Sequence, residues 1–223
     1  MNAPTGAPAT PTVGAVSWID ALDAASARAA THPDEALDAL PWLVAAIADD
    51  REHDRFGDWG RSTVVDENVG AAVLPRPLFE ALHARAGLTA RWPVGNAGLL
   101  HVYGYLLSTT PTPYGLKRER WLSGDLERGY RLADGALRPW SDPDETLLAR
   151  VGTAATALLA RDGAHRERPD GRDAVIALGD PAPDGVVALA YAVDGLLVTT
   201  FPVSDPAALR AGLGAPRLRW NAV

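Results

Sequence analysis

The sequence predicts an α+β domain, an antiparallel sheet including a C-terminal β-meander packed with helices that are mainly N-terminal and central. Three observations predict it. The first half repeats apolar residues at helical spacing, as in Trp18, Leu22, Ala25 and Ala29. Residues 174–178, 186–193 and 196–203 are β-branched and alanine-rich runs, the last two separated by Asp194-Gly195, the pair that a two-residue type I′ turn requires. Helices and strands do not alternate strictly, which favours an antiparallel sheet over a doubly wound one.

Each element follows from its residues. Ser17 is an N-cap for the first helix. A second helix begins near Pro33, with Asp34 and Glu35 in its first turn, and Pro41 restarts it before Trp42, Leu43, Ala46 and Ile47. Between residues 57 and 75 the period breaks, and 63–65 and 69–74 read as short extended pieces. Residues 77–86 return to helical spacing, with Gly87 placed for a left-handed cap. Residues 98–108 alternate well enough to predict a strand, with Leu99, His101, Tyr103, Tyr105 and Leu107 on one face. A helix stays open as the alternative, with His101, Tyr105 and Ser108 stacked at i, i+4 and i+7. Ser123 caps a short helix ending at Tyr130, residues 142–160 form a longer one, residues 161–173 an exposed loop, and Asp205 caps a last helix ending at Leu213. Residues 1–16 lack charge and bulk and are expected as a disordered tail, leaving 17–223 as a single domain whose end Trp220 could pin.

Composition removes several function classes. At 223 residues and 47% hydrophobic content the chain can bury a core without staples. The net charge of −7 comes with no basic stripe, so no nucleic-acid partner is expected. The absence of cysteine excludes disulfides, thiol nucleophiles, iron–sulfur clusters and cysteine-ligated zinc. No apolar run is long enough for a membrane span and no leader pattern opens the chain, so a cytoplasmic protein without a membrane partner is expected. Twenty arginines against a single lysine, with abundant Ala, Gly and Pro, suggest GC-rich, actinobacterial coding. The glycine and histidine signatures of kinases, dinucleotide-binding proteins, α/β-hydrolases and zincins are missing.

The chemistry-bearing residues cluster between Trp92 and Trp121. His101 is a candidate general base, with Tyr103 and Tyr105 as phenolic donors beside it; the plain alternative is a half-buried sheet face with polar tips. Lys117 is the one side chain able to form a Schiff base, and Arg118 and Arg120 could depress its pKa or clamp a carboxylate; a residual surface lysine is the competing reading. Asn96, within the glycine-containing stretch 94–98, and Tyr114, at the proline-rich stretch 109–114, are added as substrate-binding candidates, and the amides of 95–98 could form an anion nest. Asp49, Asp50, His53 and Asp54 have metal-ligand spacing but read better as a solvated helix end, so no metal is assigned. No cofactor is required by the sequence.

The run Trp92-Pro93-Val94-Gly95-Asn96-Ala97-Gly98-Leu99-Leu100-His101-Val102-Tyr103-Gly104-Tyr105, continued by Thr112-Pro113-Tyr114-Gly115-Leu116-Lys117-Arg118-Glu119-Arg120-Trp121, resembles short actinobacterial proteins described as amino acid deaminases. The resemblance extends over most of the chain after residue 16, including Leu218-Arg219-Trp220-Asn221. It implies amine chemistry on an amino acid and assigns no catalytic residue; with no phosphate cup for pyridoxal phosphate in view, Lys117 would act without a cofactor. The expected function is therefore a small-molecule enzyme acting on an amino acid or related carboxylate, a deaminase or lyase with an amine nucleophile. The alternatives are a non-catalytic ligand-binding or protein-interaction domain and a homo-oligomeric accessory to a larger enzyme.

Overall fold

The computed structural model describes residues 17–213. The expectations for 1–16 and for the end of the chain, Trp220 included, lie outside the described residues. Four helices open the domain: Trp18–Arg28, Pro33–Asp38, Pro41–Glu52 and Arg76–Ala86. Ser17 and Asp20 close a reciprocal capping box on the first, and Pro33 and Pro41 start the next two, where their missing N–H costs nothing. Gly87 ends the fourth at φ 67°, a backbone conformation that a side chain would strain. The extended pieces between them are Arg61–Thr63, Val65–Asp66 and Ala71–Ala72, and Arg61–Thr63 pairs antiparallel with Val94–Asn96.

The segment expected as a strand is helical, a π turn over Leu99–Tyr103 followed by a 3₁₀ turn over Gly104–Leu107. The reason is its burial. Every residue from 97 to 108 is buried, so no polar face marks a period, and the apparent alternation carried no information. This segment is the axis around which the helical layer packs, with Leu99, Leu100, Val102, Leu106 and Leu107 all within the main core.

The C-terminal sheet has four antiparallel strands in the order Leu196–Val203, Val187–Val193, Ala174–Leu178, His165–Glu167. Asp194 and Gly195, both at positive φ, make the expected tight turn between the first two. The fourth strand corrects the expectation of a structureless loop at 161–173, whose charges suit an exposed edge as well as a loop. The long helix is Leu147–Leu159, shorter at its start than the predicted 142–160, because Thr146 caps it through the Ala149 amide. Val187–Val193 is buried throughout. Ala188 and Ala190 face the helical core, while Leu189, Tyr191 and Val193 join Ile176, Val198 and Leu209 on the opposite face. Small residues let the Asp125–Tyr130 helix ride directly on the sheet: a Cβ on Gly129 would lie 2.5 Å from the Ala188 amide nitrogen.

Along Leu196–Val203 the pairing shifts register between Leu197 and Thr199, a bulge in the edge strand. Its outer side meets Trp59 and Gly60 at Leu197, and beyond that point Thr199, Phe201 and Val203 turn toward a cavity. The helix Pro206–Gly212, capped by Asp205 as predicted, closes the far end. Among the described residues no helix is long and apolar enough to cross a membrane.

Candidate functional site

The cavity has a volume of about 590 Å³. Its walls come from three stretches of chain: the turn at Asp66–Asn68, the segment from His101 to Asp125, and Thr199–Leu209. Of the predicted residues, Lys117, His101, Tyr105, Arg120 and Tyr114 line it.

Lys117 follows the short hairpin Pro111–Thr112 and Gly115–Leu116, and its side chain is only 16% exposed. The ammonium forms an ion pair with the buried carboxylate of Asp66 and lies 5.6 Å from the centre of the Tyr105 ring. Burial pulls the amine below the usual lysine range; Asp66 opposes this and the charge of Arg120 adds to it. For Asp66 burial is the largest single influence and acts upward, but the bond and charge of Lys117 together with hydrogen bonds from Asn68 hold the carboxyl below its usual range. The lysine thus loses more by burial than its partner restores.

Arg120 sits in the short Glu119–Leu122 helix, beside the rings of Tyr105, Trp121 and Phe201 at 5.2, 5.9 and 5.8 Å from their centres. Its side-chain hydrogen bond goes to Thr199 Oγ1 at 3.2 Å, so the bulged edge strand orients it. No carboxylate lies within ion-pair distance of it among the described residues. Burial draws its pKa below the usual value, yet guanidinium stays protonated across the ordinary pH range. Thr199 is its one side-chain hydrogen-bond partner among the described residues, which leaves a five-donor guanidinium with capacity for a ligand in the cavity it lines.

His101 is almost fully buried, with its ring 4.8 Å from that of Tyr105 and Nε2 3.0 Å from Ser62 Oγ. Burial holds its pKa well below the usual imidazole range, and the charges of Arg120 and Lys117 push the same way. The Val198 backbone acts on the ring, but among the described residues Nδ1 has no hydrogen-bond partner of ordinary geometry. The imidazole reaches the cavity beside the Tyr105 ring, with Ser62 on its Nε2, and its burial favours the neutral form. The Tyr105 hydroxyl is pushed up to about 12 by burial and stays protonated.

Tyr103, expected on the same face, points the opposite way. In a helix His101 and Tyr105 share a side and the residue between them does not. The Tyr103 hydroxyl donates to Asp50, whose fully buried carboxylate also accepts from Thr146 and, at 2.9 Å, from Arg55. That cluster ties together Pro41–Glu52, the central segment and Leu147–Leu159. In the acidic group at 49–54, Asp50 turns inward while Asp49 and His53 stay nearer the surface, and both carboxylates pair with Arg55 Nη1.

Two further candidates leave the site. Arg118 pairs with Asp23 on the first helix. Asn96 is a local brace, donating to the Phe56 carbonyl at 2.9 Å and accepting from the Leu99 amide at 3.0 Å, where it starts the central helical segment. The amides expected to form a nest are occupied as well: that of Asn96 donates to His83 Nε2 and that of Ala97 to the Gly60 carbonyl. Gly95 and Gly98 are there for packing, since a Cβ would lie 2.2 Å from His83 Nε2 at one and 2.6 Å from the Trp59 ring at the other.

Sequence reasoning missed Asp66, Thr199 and Phe201. Asp66 lies in the polar turn Asp66-Glu67-Asn68 between the two extended pieces, a signal for a turn but not for proximity to Lys117. Thr199 was hidden inside a regular strand pattern that the bulge interrupts. No protein-family model, no curated protein and no solved structure matches the chain. The geometry alone carries the functional reading.

Proposed function

We propose that this cavity is the active site of a small-molecule enzyme acting on an amino acid or related carboxylate, with Arg120 as the carboxylate clamp and Lys117 as an amine nucleophile toward a carbonyl on the same molecule. The observation that carries the proposal is Arg120: a half-buried guanidinium without a carboxylate partner among the described residues, oriented by Thr199 and three rings, in the same cavity as the chain's one primary side-chain amine. Burying a cation is costly unless an anion accompanies it, and a bidentate carboxylate fits the fork of the guanidinium.

The chemistry then follows from the Lys117–Asp66 pair. Asp66 accepts one ammonium proton, the freed amine adds to the carbonyl carbon, a second N–H proton moves to the alkoxide so formed, and Asp66 returns its proton to that hydroxyl, which departs as water and leaves a protonated imine on Lys117. The imine draws electrons from the adjacent carbon, so a group β to it, ammonia included, can leave with a proton. Deaminase and lyase activity share this route, and neither requires a cofactor.

Borohydride trapping with oxo acids, read by peptide mass spectrometry, tests the nucleophile. The expected adduct is on Lys117; turnover with Lys117 unmodified, or turnover retained by Lys117→Arg, removes this route. Calorimetry tests the clamp: Arg120→Leu and Arg120→Lys, each checked for folding by circular dichroism, are expected to weaken carboxylate binding about tenfold or more. A second reading, a non-catalytic binding domain, is favoured by the ion pair itself, which holds the amine against a carboxylate at rest. It predicts binding without turnover and a harmless Lys117→Arg.

A further inference from the structure

Resting on that reading, we infer that the cavity selects a monocarboxylate with an extended apolar body, and that Tyr114 and Phe201 are its specificity-determining residues. Size is the first ground. About 590 Å³ corresponds to roughly twenty water volumes, so an acid of three or four carbons would leave most of the space to water. The distribution of chemistry is the second. Arg120, Lys117, Asp66 and Thr199 gather near Tyr105, whereas Tyr114, Leu116, Phe201, Pro202, Val203 and Leu209 supply apolar lining along the other walls.

Tyr114 is the third ground. It stands at the turn of the Pro111–Thr112 and Gly115–Leu116 hairpin, lines the cavity, and yet leaves 82% of its surface in water. Among the described residues its hydroxyl makes no bond that would explain the position, and an aromatic ring held at a cavity mouth gains most when an apolar group covers it. Phe201, which carries one face toward Arg120 and packs against the second core, adds a second aromatic ring to the lining. Charge sets the other limit. Glu67, Glu119, Asp125 and Asp205 also line the cavity, so a second negative charge on the ligand would meet carboxylates on several sides.

The test is calorimetric titration of the full chain with pyruvate, phenylpyruvate, 4-methyl-2-oxopentanoate, 2-oxoglutarate and a phosphate monoester. Phenylpyruvate is expected to bind roughly 30-fold or more tighter than pyruvate, as burial of a phenyl group implies, with the branched acid between them. Tyr114→Ala, at an exposed position where folding is not at stake, is expected to erase most of that preference by weakening phenylpyruvate far more than pyruvate; Phe201→Leu should reduce it. Pyruvate, 2-oxoglutarate or the phosphate ester binding as tightly as phenylpyruvate, or a preference indifferent to Tyr114→Ala, would overturn the inference and leave the carboxylate reading standing. Failure of every acid to bind would overturn both.

Discussion

Lys117 and Arg120 share the Tyr105 ring, their charged groups 5.6 and 5.2 Å from its centre. Two cations so placed repel one another, and the ring's negative face offsets part of that repulsion while Asp66 neutralises one of them. The ring, more than the hydroxyl, is what the arrangement uses.

Tyr105→Phe should therefore leave Lys117 as it is, and Tyr105→Leu should not. The pH dependence of Lys117 labelling by an amine-selective reagent, read by mass spectrometry without ligand, distinguishes them. The expected loss with Leu is about 0.5–2 kcal/mol in cation stabilisation, seen as a labelling curve moved to lower pH. Equal shifts with Phe and Leu would assign the role to the hydroxyl instead.

The Asp66–Lys117 pair sets a pH signature. Because the folded-state pKa of Asp66 lies below its usual value, its stabilising contribution is present above the ordinary carboxylate range and is lost as pH falls through the folded value. Lys117 acts oppositely: its folded pKa is lowered, so the cost of burying its charge is full below that value and is relieved as pH rises toward the usual 10.5. Urea unfolding of the wild type should weaken on acidification, and Asp66→Asn should flatten that dependence. The same variant should make Lys117 more reactive at neutral pH, since the carboxylate paired with it is gone and the weaker influence of Glu67 is left alone.

Asp50 has the reverse sign to Asp66. Burial raises its pKa despite the bonds from Thr146, Tyr103 and Arg55, so the ionised form is penalised in the folded protein. The penalty is absent below the ordinary carboxylate range and complete above the folded value. Asp50→Asn is expected to cost about 1–3 kcal/mol near neutral pH, through donors left unsatisfied in the core, and to remove this carboxylate's pH dependence. Denaturant midpoints measured across pH for both proteins would show it; parallel curves would count against the cluster as a structural anchor.

Gly129→Ala should be far more damaging than an alanine in a helix ordinarily is. The added methyl would meet the Ala188 amide nitrogen at 2.5 Å and the Val187 carbonyl carbon at 2.7 Å, both backbone atoms of a central strand. A cost of about 1–3 kcal/mol or more is expected, visible as a lowered thermal midpoint. An unchanged midpoint would mean the helix can lift from the sheet.

Elements with one wet face were legible in the sequence. The helix beginning at Trp18 announced its cap at Ser17, and the meander announced its turn at Asp194-Gly195, because local chemistry decides both. The central segment was not legible, since burial on every side removes the polar half of any periodic signal and leaves strand and helix equivalent. That error misassigned Tyr103, while the open helical alternative correctly paired His101 with Tyr105. Arg118 and Arg120 looked interchangeable two positions apart; one meets Asp23 outside and the other turns inward, a difference set by the surroundings of a short helix. Asp66 was out of reach of any local reading, because fifty-one positions separate it from Lys117.

The bulge between Leu197 and Thr199 joins the two layers of the molecule at one guanidinium. Whatever settles on Arg120 is braced simultaneously by a hydroxyl on the sheet's margin and by rings rooted in the helical half. Occupancy should accordingly slow amide exchange in the edge strand and around residues 101–105 together, so that a molecule of modest size acts as a clasp between halves it does not itself bury.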